Sequence, residues 1–299
     1  MTHHRFAFPL LILGAVCIGS APIFVRLADC GLAAIGFWRM LLSLPIFAWW
    51  WYRDHQQHPG EPFNPRDWRP YAAGACFAGD LLFWHWGVAL SSVANATFLS
   101  NLAPVIVVIA AWFIFHERFR PVFFAALALA LGGSLMLMQS TATVQSAATE
   151  SALRGDLLAA ASAFFYAGYQ LSIKQARTAL STPALMTISG ATCALVMLIC
   201  ALIGGETILP QSTTGWAAIL GLVLLTQVGG QGLITYAAAH LPAGLSSISL
   251  LVQPVVASAA AWVLFGEAFT QWQWFGGTAI IIAVLLAKRS VIPAAQGHS

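Results

Sequence analysis

Charge is what this sequence has least of. Of its 299 residues only 8% are charged and 59% are hydrophobic, with a mean hydropathy of +0.79. A soluble domain carries about 25% charged residues. So few charges cannot cover a water-facing surface, and a soluble globular fold is excluded. Enzyme signatures are missing too. There is no glycine loop before a lysine to cradle phosphates, no HExxH, and no Ser/His/Asp set that spacing places together. The expectation is a protein that is not an enzyme and holds no cofactor and no metal. A formal net charge of +3 gives no basis for a nucleic-acid partner. The five cysteines include no CxxC pair, and all but Cys30 fall inside apolar runs. Cys17, Cys76, Cys193 and Cys200 read as small packing hydrophobes, not as a disulfide or metal framework.

What the sequence has is a succession of apolar runs of about 20 residues, each long enough to cross a bilayer core of roughly 30 Å as a helix. Closed β-barrels are the other spanning solution, but their strands alternate apolar and polar residues and these runs do not. The expected fold is an all-α membrane protein with ten transmembrane helices, at roughly 8–28, 33–52, 69–90, 94–115, 121–139, 155–175, 183–203, 215–236, 243–265 and 271–288. The first run follows Arg5 as a signal peptide would. Val16 before Cys17 is a poor cleavage site, and the run continues to about Ala28, so an uncleaved span is expected. Trp49-Trp50-Trp51-Tyr52 reads as an interfacial aromatic belt. STATVQSAATES, residues 140–151, is weakly polar and reads as a linker. The expected domains are 1–139, a linker at 140–154, a second half at 155–290 and a cytoplasmic tail at 291–299.

Lys and Arg orient the chain. With the N-terminus inside, Arg5, Arg53, Arg66, Arg69, Arg118, Arg120, Lys174, Arg177, Lys288 and Arg289 fall inside, and Arg26 and Arg154 outside. Arg39 lies within the second span. Ten against two is a strong positive-inside bias, so both termini are expected in the cytoplasm.

One stretch is written twice. LAPVIVVIAAWFIFHE, residues 102–117, returns 150 positions later as VQPVVASAAAWVLFGE, residues 252–267, with seven identities in sixteen positions. Pro104 matches Pro254, Trp112 matches Trp262, and Glu117 matches Glu267. Five spans per half would turn the second copy upside down relative to the first. Inverted repeats of this kind are common in secondary transporters, which bind substrate near the midplane between the halves.

These features together resemble the EamA-type drug/metabolite transporter family. The resemblance rests on Phe83 through Ser91, Ala94, Leu102-Ala103-Pro104, His116-Glu117-Arg118 and Gly132-Gly133. It rests equally on their echo in Tyr236 through Ala243, Gln253-Pro254, Gly266-Glu267 and Gly276-Gly277. It implies a ten-helix exporter or exchanger of small organic solutes in an inner or plasma membrane, with spans 1, 3, 4, 6, 8 and 9 around a central cavity. Amino-acid and metabolite exporters are similar proteins. The second copy departs from the first where Ala268 stands in place of Arg118.

Candidate site residues are the polar and aromatic groups inside spans. Asp80 lies roughly 15 Å from the outer end of its span, and Arg39 roughly 9 Å. A charge at such depth faces a cavity or a partner. Asp80 reads as a proton-coupling or substrate-ammonium site, Arg39 as a fork for a substrate carboxylate. The alternative is that the two pair with each other. His85 titrates near neutral pH or serves as a packing residue. Trp84, Phe98, Tyr166 and Tyr169 offer ring faces for aromatic or cationic substrates, and Trp86 and Tyr236 do the same. Packing against lipid is the alternative for each. Asn101, Gln170, Gln227, Gln231 and Gln253 either hold a zwitterion or bond neighbouring helices. Pro104 and Pro254 read as hinges at matching places. Glu117 and Glu267 are expected to cap the next helix. The functional expectation is a secondary transporter exporting small organic metabolites, most plausibly amino acids, as a monomer among membrane lipids. A multidrug or cationic-metabolite exporter is the alternative, and a membrane enzyme or scaffold a more distant one.

Overall fold

The computed structural model describes residues 6–57, 64–91, 93–139, 150–265 and 270–290. Among them there is no strand. The helices are α1 (Ala7–Gly19), α2 (Ala21–Leu27), α3 (Leu32–Gln57), α4 (Arg69–Leu90), α5 (Val93–Ser100), α6 (Ala103–Ile114), α7 (Pro121–Gln139), α8 (Glu150–Ala176), α9 (Thr182–Ile203), α10 (Thr213–Gly221), a π-helical stretch Leu222–Gln231, α11 (Gly232–Ala238), α12 (Ala243–Leu250), α13 (Val252–Phe265) and α14 (Gln271–Ser290). Seven helical stretches are long and apolar enough to cross a bilayer: Ala7–Leu27, Leu32–Gln57, Thr97–Ile114, Pro121–Met138, Thr182–Ile203, Thr213–Ala238 and Ala243–Leu264. α4, α8 and α14 have the length of a span but no continuous stretch apolar enough to count with these seven. This is an all-helical, multi-pass membrane protein. The tail at 291–299 and the linker up to residue 149 lie outside the described residues. The linker's last five expected residues form the start of α8, where Arg154 and Glu150 pair at 2.5 Å one turn apart.

Several expected spans are broken helices. The first divides at Ser20, whose hydroxyl donates to the carbonyl of Cys17 at 2.6 Å. The fourth divides between Ser100 and Ala103, and the ninth at Leu251. Pro104 falls in the first turn of α6, where a proline lacks no helical partner, and Pro254 early in α13. Both spans are therefore interrupted just ahead of their prolines.

Helix pairs join the two halves of the chain. α4 packs on α8, α3 on α9, and α7 on α14. At the α7–α14 contact, a Cβ on Gly133 would stand 2.7 Å from the Gly276 carbonyl oxygen, and one on Gly276 2.5 Å from that of Gly133. Only glycine permits backbones that close, in membrane helices as in soluble ones. Lys288 lies over the ring of Phe8 at 4.3 Å, so α1 begins and α14 ends at one end of the molecule, called here the Lys288 end. At the opposite end, Glu206 binds the start of α3 through the amides of Ala33 (2.9 Å) and Ala34 (3.1 Å). Trp49 and Tyr52 are exposed, as a membrane-interface belt requires. The five cysteines are free thiols.

Candidate functional site

The site is a cavity of about 240 Å³ in the half of the molecule away from the Lys288 end. Its walls come from α1 and α2 (Ile18, Pro22), α3 (Arg39), α4 (Phe77, Asp80, Trp84, His85), α5 (Thr97, Ser100), Asn101, α8 (Tyr166), the π-helical stretch (Gln231) and α13 (Gln253, Pro254, Ala257). Both halves of the chain contribute. α5 and α13 face each other across the cavity, while their counterparts nearer the Lys288 end, α6 and α12, pack together.

Arg39 and Asp80 both face this cavity, and they do not pair. Among the described residues no ion pair within 4 Å joins them. Asp80 accepts a hydrogen bond from the hydroxyl of Ser162 at 2.7 Å. The Nε of Arg39 donates to Gln227 Oε1 at 3.0 Å, and its guanidinium lies 5.6 Å from the centre of the Phe77 ring. Arg39 is 6% exposed, so burial is close to complete. Each charge is thus held by neutral or aromatic neighbours. The pairing alternative is not what the fold adopts.

Other expected site residues divide into two groups. Trp84, His85, Asn101, Tyr166, Gln231, Gln253 and Pro254 line the cavity. His85 is buried, its Nδ1 has no hydrogen-bond partner among the described residues, and its ring meets Trp84 at 5.2 Å. Asn101 is fixed by its Nδ2 donating to Ser134 at 2.9 Å. Tyr169, Phe98, Gln170, Gln227 and Pro104 stand outside the lining. Tyr169 stacks on Phe77 at 4.5 Å, and its hydroxyl accepts from Gln231. Gln227 lies behind Arg39 and orients it. Gln170 Nε2 has no hydrogen-bond partner among the described residues, and Pro104 is buried at the start of α6. Trp86 is half exposed on the outer face of α4, and Tyr236 meets His240 at 4.9 Å.

Three positioning groups were not singled out from sequence. Ser162 is fully buried and connects Asp80 to Ser100, whose hydroxyl lies 3.2 Å from its own. It stands four residues before Tyr166, on the same helix face, a spacing that could have found it. Ser134 offered no such signal. The third is the π-helical stretch. It turns Gln227 and Gln231 inward, both nearly fully buried, and π-helical stretches recur at functional sites.

Glu117 was expected to cap the following helix. It caps α12 of the other half instead. Its carboxylate accepts from the amides of Ala243 (2.7 Å) and Gly244 (3.2 Å) and pairs with Lys174 at 3.0 Å. Lys174 also donates to the carbonyl of Leu241 at 2.7 Å and lies over Phe115. This cluster ties the end of α6, the start of α12 and α8 together at the Lys288 end. Glu267 lies outside the described residues.

A bundle of apolar helices around a cavity that holds a few charged and amide groups and is shared by two halves describes a membrane carrier of small solutes. The model of the EamA-like transporter family matches residues 5–139 and 153–289, and the chain belongs to that family. No curated protein matches the chain. One solved structure, described only as "Crystal structure of protein", superposes with a TM-score of 0.80 at 16% identity, over 96% of this chain and 98% of that one. At that identity the likeness concerns the fold.

Proposed function

We propose that the protein is a secondary transporter that exports small organic metabolites, amino acids first among them, by alternating access. The observation that carries this reading is the separation of Arg39 and Asp80 on the walls of one cavity. Opposite charges that face a shared space without pairing suit a zwitterion, whose carboxylate meets the guanidinium fork and whose ammonium meets Asp80. Trp84 and Tyr166 offer faces to the side chain. His85, Asn101, Gln231 and Gln253 offer polar contacts without charge, and Tyr169 and Gln227 support Gln231 and Arg39 from behind. Pro104 and Pro254 serve as hinges. A cavity of about 240 Å³ is smaller than the roughly 300–1,000 Å³ of drug-sized sites. A guanidinium inside it also repels cations. Both points weigh against a multidrug or cationic-metabolite exporter.

In this reading the broken helices count as single spans. α1 joins α2, α5 joins α6, α10 joins α11 through the π-helical stretch, and α12 joins α13, for ten spans. The halves, 1–139 and 155–290, are then inverted repeats, both termini are cytoplasmic, and the membrane is the cell's inner membrane. The closed Lys288 end and the cavity beyond it correspond to a state facing outward.

Reconstituted vesicles test this. Saturable amino-acid flux with no covalent product is expected, and product without flux would overturn the reading. Arg39→Gln and Asp80→Asn each remove a charge-assisted contact of about 1.5–3 kcal/mol, so each lowers flux roughly ten- to hundredfold. Asp80→Asn also weakens the proton dependence of flux, and an unchanged pH profile would remove Asp80 from coupling. Thermal-shift screening separates amino acids from lipophilic cations.

A further inference from the structure

A groove on the outer face of α6 and α7, near the Lys288 end, is lined by Ile109, Trp112, Phe113, Phe119 and Phe124, with Arg118 at its rim. Trp112 is 56% exposed and Phe124 53%. In a membrane protein, exposed apolar side chains of this kind meet acyl chains. The arginines set this groove apart. Arg118 and Arg120 are both exposed, and among the described residues neither side chain makes a hydrogen bond or an ion pair.

The repeat supplies the comparison. At an offset of 150, Trp112 becomes Trp262, Phe119 becomes Phe269 and Phe124 becomes Trp274. Arg118 becomes Ala268, and Arg120 becomes Thr270. Phe113 becomes Val263, so the sequence writes three of the four groove aromatics twice and the cations once. Packing or generic lipid contact accounts for the aromatics that both copies keep. It does not account for two unpaired cations in one copy.

We propose that the groove at Trp112 and Arg118 binds one anionic phospholipid, an acyl chain against Trp112 and Phe124 and the phosphate on the Arg118 fork, with Arg120 beside it. A planar guanidinium matches phosphate geometry bidentately. Basic residues at the headgroup level favour anionic over neutral lipid. A second copy of this chain suits the groove less well, because an isologous dimer through this face would set Arg118 and Arg120 against their own counterparts.

The test uses the full chain in detergent, with native mass spectrometry of lipid retained from an equal mixture of phosphatidylglycerol and phosphatidylcholine. Wild type is expected to prefer phosphatidylglycerol by roughly 25-fold, about fivefold from each arginine. Arg118→Ala with Arg120→Ala brings the preference near unity, with circular dichroism and melting unchanged because both side chains are exposed. Equal retention of the two lipids by wild type would overturn the proposal. So would an undiminished preference in the double-alanine variant. A dimer peak that the double-alanine change abolishes would assign the face to a second copy and overturn it as well.

Discussion

At the Lys288 end, α6 ends at Ile114; two residues on, His116 takes a φ of 53°, and Glu117 follows with its amide donating to the carbonyl of Ala111 at 3.2 Å. At the opposite end, α9 ends at Ile203; two residues on, Gly205 takes a φ of 62°, and Glu206 follows with its amide donating to the carbonyl of Ala201 at 3.0 Å. Both helices are followed by a left-handed residue that aims a glutamate sideways. Each glutamate then binds two amides at the start of a helix from the other half of the chain: Ala243 and Gly244 for Glu117, Ala33 and Ala34 for Glu206. Negative charge there is favoured by unpaired amides and the helix dipole. The difference lies in what is tied. Glu206 ties α3, an unbroken 26-residue helix that packs along α9. Glu117 ties α12, an eight-residue piece of a broken span, against α6, a piece of another. One local device serves as a staple at one end and, in the transport reading, as a latch at the other. Glu117 has a further partner in Lys174, which a latch between two short helices needs more than a staple between long ones.

Removing the latch should have the larger effect on this comparison. Glu117→Gln loses the ion pair and weakens two charge-assisted bonds, about 2 kcal/mol together. That shifts closure of the Lys288 end by roughly 25-fold. The reporter is Ser246→Cys on α12, a buried position whose hydroxyl has no partner among the described residues. In a background with the natural cysteines replaced, its alkylation by an impermeant maleimide should rise at least about tenfold with Glu117→Gln. It should not change with Glu206→Gln. Equal rates in the two variants would erase the distinction between latch and staple.

The helices were legible because apolar runs of bilayer length have few other uses. The break before each repeated proline followed from the lost amide donor. The cavity was legible in part. Charged and amide groups inside apolar helices are costly, so Asp80, Arg39, His85 and Gln231 drew notice on depth alone. Their partners did not. Ser162 reaches Asp80 across 82 positions, and a serine costs so little inside a helix that only its i, i+4 spacing to Tyr166 could have pointed to it. Of the two roles open to Gln227 from sequence, contact with solute or a bond to a neighbouring helix, the structure shows the bond, to Arg39, and the π-helical stretch that carries Gln227 left no mark in the apolar pattern. The partner of Glu117 was misplaced for a different reason. The nearest helix in sequence, α7, is not the helix whose open amides point at the carboxylate. The repeat held the better clue, since the start of α12 corresponds to the start of α5 at the same offset of 150.

Loosening the staple should change stability and leave access alone. Glu206→Gln keeps an acceptor for Ala33 but loses its charge, about 1 kcal/mol. For a chain of this size the melting temperature falls by about 2 °C. A fall of that size together with an unchanged Ser246→Cys alkylation rate separates the two ends, and faster alkylation would merge them. The smallest effect is at Cys30, in the turn beside the staple. Burial first, then the negative charges of Asp29 and Glu206, push its thiol up to about 11. The thiolate is the reactive form, so Cys30, kept as the single cysteine, should alkylate slowly at pH 8 and about tenfold faster per pH unit until the pH nears 11. Glu206→Gln removes one of the two carboxylates and leaves burial in place. The profile should therefore move toward lower pH by no more than about threefold in rate. A larger shift would mean that the staple also controls how deeply the turn is buried, and the two ends would then differ less than their geometry indicates.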